Sequence, residues 1–166
     1  MTARLSNTRR QKILVGGPIQ YALNRRGMFD GKLASTFRLI LSEIEGAGYE
    51  ILSAHRAESF GQADLSHKPA RVASRDFNWV KECDAFVAVL PGRRGSPLRS
   101  DGTCVELGWS TALGKPTIIA CTPGMPYSPV VRGLKSIANV VEVDLEKVML
   151  NPAILVKLLS RRLRAS

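Results

Sequence analysis

The most restrictive feature of this sequence is the alternation of short, unbroken apolar runs with amphipathic stretches of helical period. The interiors of Lys12-Ile-Leu-Val-Gly16 and Ala85-Phe-Val-Ala-Val-Leu90 hold no polar residue, and such runs suit strands buried on both faces. Between them, residues 32–46 set Leu33, Phe37, Ile40, Leu41 and Ile44 on one helical face. Gly46 and Gly48 end that helix, and residues 49–53 read as a second strand. Residues 57–68 are polar and read as loop, after which Pro69 opens a helix to about Cys83. Residues 91–102 form a loop rich in Gly, Arg and Ser, and residues 103–113 read as a helix. Residues 117–121 and 140–143 are further strands, and residues 152–163 are the last helix. Strands joined by helical crossovers imply a parallel sheet covered on both faces. The expectation is one doubly wound α/β domain of the flavodoxin or Rossmann kind, with about five parallel strands. Ligands bind such sheets at the carboxyl ends of the strands. Three segments meet there: residues 16–21, residues 53–58, and the loop 91–102 with the helix it feeds.

The charge pattern narrows the partners. The 166 residues carry 24 Lys and Arg against 14 Asp and Glu, a formal net charge of +10. Arg4, Arg9, Arg10 and Lys12 lie at one end, and Lys157, Arg161, Arg162 and Arg164 at the other, without an acid among them. The body between is left with 16 basic residues against 14 acids, too little for a basic groove that would track a polymer. The domain is placed at residues 12–166, behind a basic tail of residues 1–11, and both basic ends read as solvated. No nucleic-acid polymer is expected as a partner. No apolar run approaches the roughly 18 residues of a membrane span, and Met1 to Lys12 lack the apolar core of a secretory signal. Cys83, Cys104 and Cys121 have no CxxC spacing and read as reduced thiols of a cytoplasmic protein. Two histidines without ligand spacing argue against a His-based metal site, and no cofactor is expected. No GxSxG is present to support serine-hydrolase chemistry.

Three motifs could carry chemistry. Gly16-Gly17-Pro18-Ile19-Gln20-Tyr21 follows a strand, and its glycines allow backbone to approach a ligand closely. It lacks GxGxxG spacing, so it is either a ligand loop or a tight turn. Ser100-Asp101-Gly102-Thr103-Cys-Val-Glu106 offers two readings. Thr103-x-x-Glu106 fits a capping box. Equally, Glu106 sits at the expected site with Asp101 near it, and a helix N-terminus favours an ionised carboxylate nucleophile. Capping predicts a stability loss of about 1 kcal/mol on Glu106→Ala; catalysis predicts lost activity with the fold kept. In the third motif, Asp76, Trp79 and Cys83 share a helical face, and Asp84 starts the next strand as a turn or cap. Burying Asp76 unpaired would cost several kcal/mol, so it is either exposed or functional. His55 and Arg56 could contact an anion, or His55 could be a structural donor.

In order and spacing these motifs resemble the nucleoside 2-deoxyribosyltransferase superfamily, which includes nucleoside 5′-monophosphate N-glycosidases. The likeness rests on Gly-Gly-Pro after the first strand, Asp76-x7-Asp84 into an apolar strand, and Asp-Gly-Thr-x-x-Glu-Leu-Gly. It spans roughly residues 12–145. It implies that Glu106 is the nucleophile on the sugar C1′ and that Asp76 handles the leaving base; Asp101, five residues before Glu106, is a third catalytic candidate from the residues alone. Ser100 stands where the hydrolases carry a phosphate-contacting serine and the transferases an aspartate. Ser128, in Tyr127-Ser-Pro-Val-Val-Arg132-Gly133, matches a serine that reaches the phosphate of a neighbouring subunit's substrate, which implies a homodimer with a shared site. Departures are Leu14 where many members carry Tyr, Gln20 where the hydrolases carry a phosphate-binding Arg, and a longer loop over residues 93–99. The substrate-binding set is then Gly16, Gly17, Pro18, Ile19, Gln20, Tyr21, His55, Ser100, Gly102 and Ser128.

The leading expectation is hydrolysis of a nucleoside 5′-monophosphate to free base and (deoxy)ribose 5-phosphate. A base-exchanging deoxyribosyltransferase is the alternative. Gly102-Thr103-x-x-Glu106 also resembles a segment of lysine-decarboxylase-like phosphoribohydrolases, whose companion glycine-rich loop is absent here. A nucleotide- or sugar-sensing module in which Glu106 only caps its helix is the non-enzymatic reading.

Overall fold

Side chains that alternate across a strand need cover on both faces, and this chain supplies it with two sets of helices. The computed structural model describes residues 9–63, 65 and 67–165. The elements run β1 (Lys12–Gly16), α1 (Gly31–Gly46), β2 (Glu50–Leu52), α2 (Ala54–Ala57), α3 (Pro69–Glu82) and β3 (Ala85–Leu90). A hairpin of β4 (Gly92–Arg93) and β5 (Ser96–Pro97) follows, then α4 (Asp101–Ala112) and β6 (Thr117–Cys121). The chain ends with α5 (Pro129–Gly133), β7 (Val140–Asp144), α6 (Leu145–Leu150) and α7 (Ala153–Arg164).

The main sheet has five strands in the order β2-β1-β3-β6-β7, and every pairing is parallel. The fold is the doubly wound α/β class expected. Ile13, Val15, Val87, Val89, Ile118 and Ala120 face Phe37, Ile40 and Ile44 of α1, Val148 of α6, and Leu155 and Leu159 of α7. Leu14, Phe86, Ala88 and Ile119 face the other way, onto Val80 of α3 and Leu107 of α4. Each large side chain fully buried in this way contributes roughly 1.5–3 kcal/mol.

The strand order reverses between β1 and β3, which opens a crevice at their carboxyl ends. Gly16 ends β1 there, and Leu90 ends β3 before the hairpin that leads into α4. The hairpin turns on Arg94 and Gly95, both at positive φ (51° and 77°), the pattern of a two-residue type I′ turn.

Several elements differ from the sequence expectations. α4 starts at Asp101 rather than Thr103, the loop 91–102 contains the hairpin, and the short helices α2, α5 and α6 were not expected. Helices of four to six residues present too few turns for a periodic signal. The local cues are capping ones: Ser128 accepts from Val131 N–H at 3.3 Å before α5, and Asp144 from Glu146 N–H at 2.8 Å before α6. The basic C-terminal segment is no solvated tail, because α7 carries Arg161, Arg162 and Arg164 while burying Leu155 and Leu159 completely. Arg4 and most of the expected N-terminal tail lie outside the described residues, and Arg9 pairs with Asp84 at 3.6 Å. Asp84 also accepts from Lys12 N–H at 2.7 Å, a bond across 72 positions that ties the start of β1 to the connection before β3 rather than a local turn or cap. Among the described residues no helix is long and apolar enough to cross a membrane.

Leu155→Ala is expected to lower unfolding free energy by about 2–5 kcal/mol, as for other buried Leu truncations. Ile137→Ala, at an 80 % exposed position, is expected to stay within about 0.5 kcal/mol. Urea denaturation of both variants checks that α7 is an integral part of the core.

Candidate active site

Gly16 ends β1 without a side chain, and the vacated space is taken by a carboxylate. A Cβ built on Gly16 would lie 2.5 Å from Glu106 Oε2 and 3.0 Å from the Phe86 ring. Gly17 is equally constrained, since a Cβ there would run into the Phe37 ring. Gly16 therefore lets a glutamate of α4 reach the end of β1, while Gly17 makes room for Phe37 beneath the loop.

α4 begins with Ser100 as N-cap residue, whose hydroxyl donates to Thr103 Oγ1 at 2.6 Å and caps no backbone N–H. Glu106 lies beyond the first turn, so the Thr103-x-x-Glu106 capping box does not form. The reason is that Asp101 and Gly102 already adopt helical geometry, and an aspartate is favoured in a first turn by the helix dipole. Glu106 is 6 % exposed. Burial, together with the negative charges of Asp76 and Glu58, pushes its carboxyl up to about 8, against the opposing pull of Arg75.

Asp76 reaches this region from α3. It is paired rather than bare: Arg75 Nε donates to its Oδ1 at 2.8 Å. The same guanidinium donates through Nη2 to Glu58 Oε1 at 2.6 Å and lies 4.8 Å from the Trp79 ring centroid. Glu58, Asp76 and Glu106 line one cleft of about 690 Å³ and a second pocket of about 350 Å³ that adjoins it. The larger space runs toward apolar walls from Leu23, Leu65, Val72, Val105 and Trp109. The smaller is bordered by Gly16, Gly17, Tyr21, Ser100, Asp101 and Thr103. Ile19, Gln20, Val72 and Gly102 border both. An apolar end joined to a polar end through carboxylates suits a flat ring attached to a polar, oxygen-rich group.

Asp101 stands at the rim. Arg99 binds both its oxygens at 2.8 Å, which holds its carboxyl below the usual carboxylate range. The Tyr21 hydroxyl approaches it at 3.4 Å, and the Arg99 guanidinium lies 4.6 Å from the Tyr21 ring centroid.

Three expected site residues lie elsewhere. His55 is fully buried and stacks on Phe37 with ring centroids 3.7 Å apart. Burial lowers it to about 4, so at neutral pH its Nε2–H donates to the Pro18 carbonyl at 3.2 Å. It supports the first loop from beneath, and neither His55 nor Pro18 lines the cleft. Ser128 is exposed, caps α5 and lies outside the cleft of its own chain. Cys104 is exposed, Cys83 is buried and all three thiols are free. Among the described residues no group of His, Cys, Asp or Glu could hold a metal ion.

Glu58 and Arg75 were not singled out from the sequence. Glu58 ends the segment 53–58 already placed at the sheet's carboxyl edge. Arg75 stands four residues before Trp79, the spacing of a shared helical face.

The model of the nucleoside 2-deoxyribosyltransferase family matches residues 27–151. The chain belongs to that family. The matched span includes Glu58, Asp76, Glu106 and Ser128 and leaves out β1 with its glycines. No match was found among curated proteins. Among solved structures the fold is similar to the CMP N-glycosidase BcmB of Clostridium botulinum, with 21 % identity and a TM-score of 0.57, over 83 % of this chain and 98 % of that one. It is similar to BlsM at 28 % identity and a TM-score of 0.67, over 84 % and 85 % of the two chains. The 2-deoxyribosyltransferase of Bacillus psychrosaccharolyticus gives 18 % identity and a TM-score of 0.55, over 82 % and 89 %. The family is one of enzymes that act on small nucleoside substrates, with transfer and hydrolysis both represented among proteins of this fold.

The buried Glu106 has a stability consequence. Its folded-state value lies above the ordinary 4.5, so the stability present below that pH is lost as pH rises toward about 8. Glu106→Gln has no charge to bury. Its Tm advantage over the wild type is expected to be small at pH 5 and to grow to roughly 5 °C at pH 9. Thermal melts across that range check this, and an advantage independent of pH would contradict the buried carboxylate.

Proposed function

We propose that this family member hydrolyses the N-glycosidic bond of a nucleoside 5′-monophosphate, with Glu106 as nucleophile and Asp76 as the acid at the leaving base. The observation that carries the reading is the Glu106 carboxyl lodged against Gly16 in the cleft, with Asp76 lining the same cleft and close enough to act on its charge. Burial and the neighbouring carboxylates hold a proton on Glu106 up to about pH 8. On this reading that proton passes to Asp76 as the substrate enters, which leaves Glu106 ionised as nucleophile and Asp76 as the acid that glycoside cleavage requires. In the first step a Glu106 oxygen bonds to C1′ while the C1′–N bond breaks. The bond's electrons leave with the base, which takes the proton from Asp76. In the second step water attacks C1′, gives a proton to Asp76 and releases the Glu106 carboxylate.

The base would occupy the apolar end near Val105 and Trp109, and the sugar would lie over Gly16 and Glu106. The 5′ substituent would then face Ser100 and the start of α4, where backbone N–H groups suit an anion. Ser128 enters this reading from a second copy of the chain, since its own cleft lies elsewhere. One observation favours base exchange between nucleosides instead. Asp101 places a carboxylate at the rim beside Tyr21, which would accept a 5′-hydroxyl more readily than a phosphate.

Base release is measured by chromatography from ribo- and deoxyribonucleosides and their 5′-monophosphates, with and without a second base. Free base from a monophosphate alone is the expected result, falling at least about 1,000-fold in Glu106→Ala. Release only when a second base is present would establish the transferase, and no release from any substrate would reject both. The pH profile gives a separate check. Loss of the shared proton should make kcat/KM fall about tenfold per pH unit above about 8; a profile flat to pH 10 contradicts proton donation by the pair. Size-exclusion chromatography with Ser128→Ala kinetics tests the shared site, which requires a dimer and a raised KM for the monophosphate.

A further inference from the structure

We propose that Arg75 is a positioning residue, which holds Asp76 in place for the leaving-base step through a clip anchored at its other end by Glu58. The inference rests on the reading of Asp76 given above. Adjacent residues on a helix do not face each other, yet the Arg75 side chain turns back to bind Asp76 Oδ1 at 2.8 Å. The turn is stabilised from two sides. Glu58 accepts from Nη2 at 2.6 Å, and the guanidinium lies over the Trp79 ring, 4.8 Å from its centroid.

Glu58 and Asp76 both line the cleft, whereas Arg75 does not. Its side chain is 20 % exposed and stands behind the two carboxylates. Arg75 therefore acts on a substrate only through them. By engaging Oδ1 it leaves Oδ2 as the oxygen available to a base. A planar fork can hold two carboxylates in fixed relative orientation, which the point charge of lysine cannot. A buried ion pair kept only for stability would make a different prediction, since such pairs add little net stability and their loss need not touch the chemistry.

Arg75→Gln and Arg75→Lys are compared with the wild type on a nucleoside monophosphate. A second substrate carries a p-nitrophenolate leaving group on the same sugar phosphate, which departs without a proton. On the nucleotide, kcat is expected to fall about 100-fold in Arg75→Gln with KM changed less than about threefold, the size of a lost general acid. On the p-nitrophenyl substrate the deficit should shrink to less than about fivefold. Arg75→Lys should show the same leaving-group pattern, which keeps the test open if the Gln variant does not fold. A crystal structure of either variant should show the Asp76 carboxyl displaced.

Equal deficits on both leaving groups, or an unchanged kcat in a folded variant, would overturn the proposal. So would an Asp76 carboxyl that stays in place without Arg75. A wild type that releases no base would sink the functional reading instead, and the variant structures would still decide the clip.

Discussion

The site depends on one constraint, the burial of a carboxylate where the sheet's strand order reverses. An ionised group in such a place costs several kcal/mol unless its surroundings compensate. Here the neighbours add to the cost, because Asp76 and Glu58 share the cleft and Arg75 is the cation set against them. The surrounding features follow from that. Gly16 must lack a side chain so that Glu106 can enter, and Gly17 must lack one because Phe37 closes the space beneath. His55 stacks on that same ring and holds the Pro18 carbonyl, so the loop over Glu106 is fixed from below.

Topology explains why these groups meet. β1 lies between β2 and β3, so the chain leaves the ends of these strands in different directions and opens a gap between them. Into it come the loop after β1, the turn after β2, and the start of α4 delivered by the hairpin after β3. α3 packs beside α4 and adds Asp76 and Arg75. Apart from the adjacent pair Arg75 and Asp76 on α3, the polar groups Glu58 and Glu106 come from separate elements. Their geometry is set by the rigidity of the sheet and helices, which suits groups that must be held within tenths of an ångström.

The sheet was legible because its information is local: continuous apolar runs in β1, β3 and β6 leave no alternative to double-sided burial. That Glu106 would face the cleft was legible from its place just after the sheet's carboxyl edge, whereas Asp76, either exposed or functional by its own pattern, was pointed to by the order and spacing of the family resemblance. The N-terminus of α4 was not, since Asp101 and Gly102 are poor helix formers by propensity and become acceptable only as first-turn residues. Arg75 and Glu58 were opaque for a different reason. Each is one charged residue in a polar stretch, and 17 positions separate them; nothing local distinguishes them from solvated side chains. His55 was ambiguous because its environment is built by Phe37 and Phe29, whose approach only the tertiary fold specifies.

The charge balance of the cleft bears on what such a floor can stabilise. Three carboxylates face one guanidinium, so with every group ionised the cluster is short of positive charge in a place largely shielded from water. Burial and the neighbouring carboxylates raise Glu106, and the proton it then retains relieves this. On the proposed reaction a second relief arises during bond cleavage. As the C1′–N bond lengthens the sugar gains oxocarbenium character, and the positive charge develops directly over the carboxylate at Gly16. Attraction that grows with that charge stabilises the transition state more than the neutral sugar of the ground state, which is the condition for acceleration rather than mere binding. The proton displaced from the pair is then the one the departing base requires. An arrangement that costs stability in the empty fold thus has both of its charges used in one step, and a neutral side chain at position 106 would give up that coupling along with the strain.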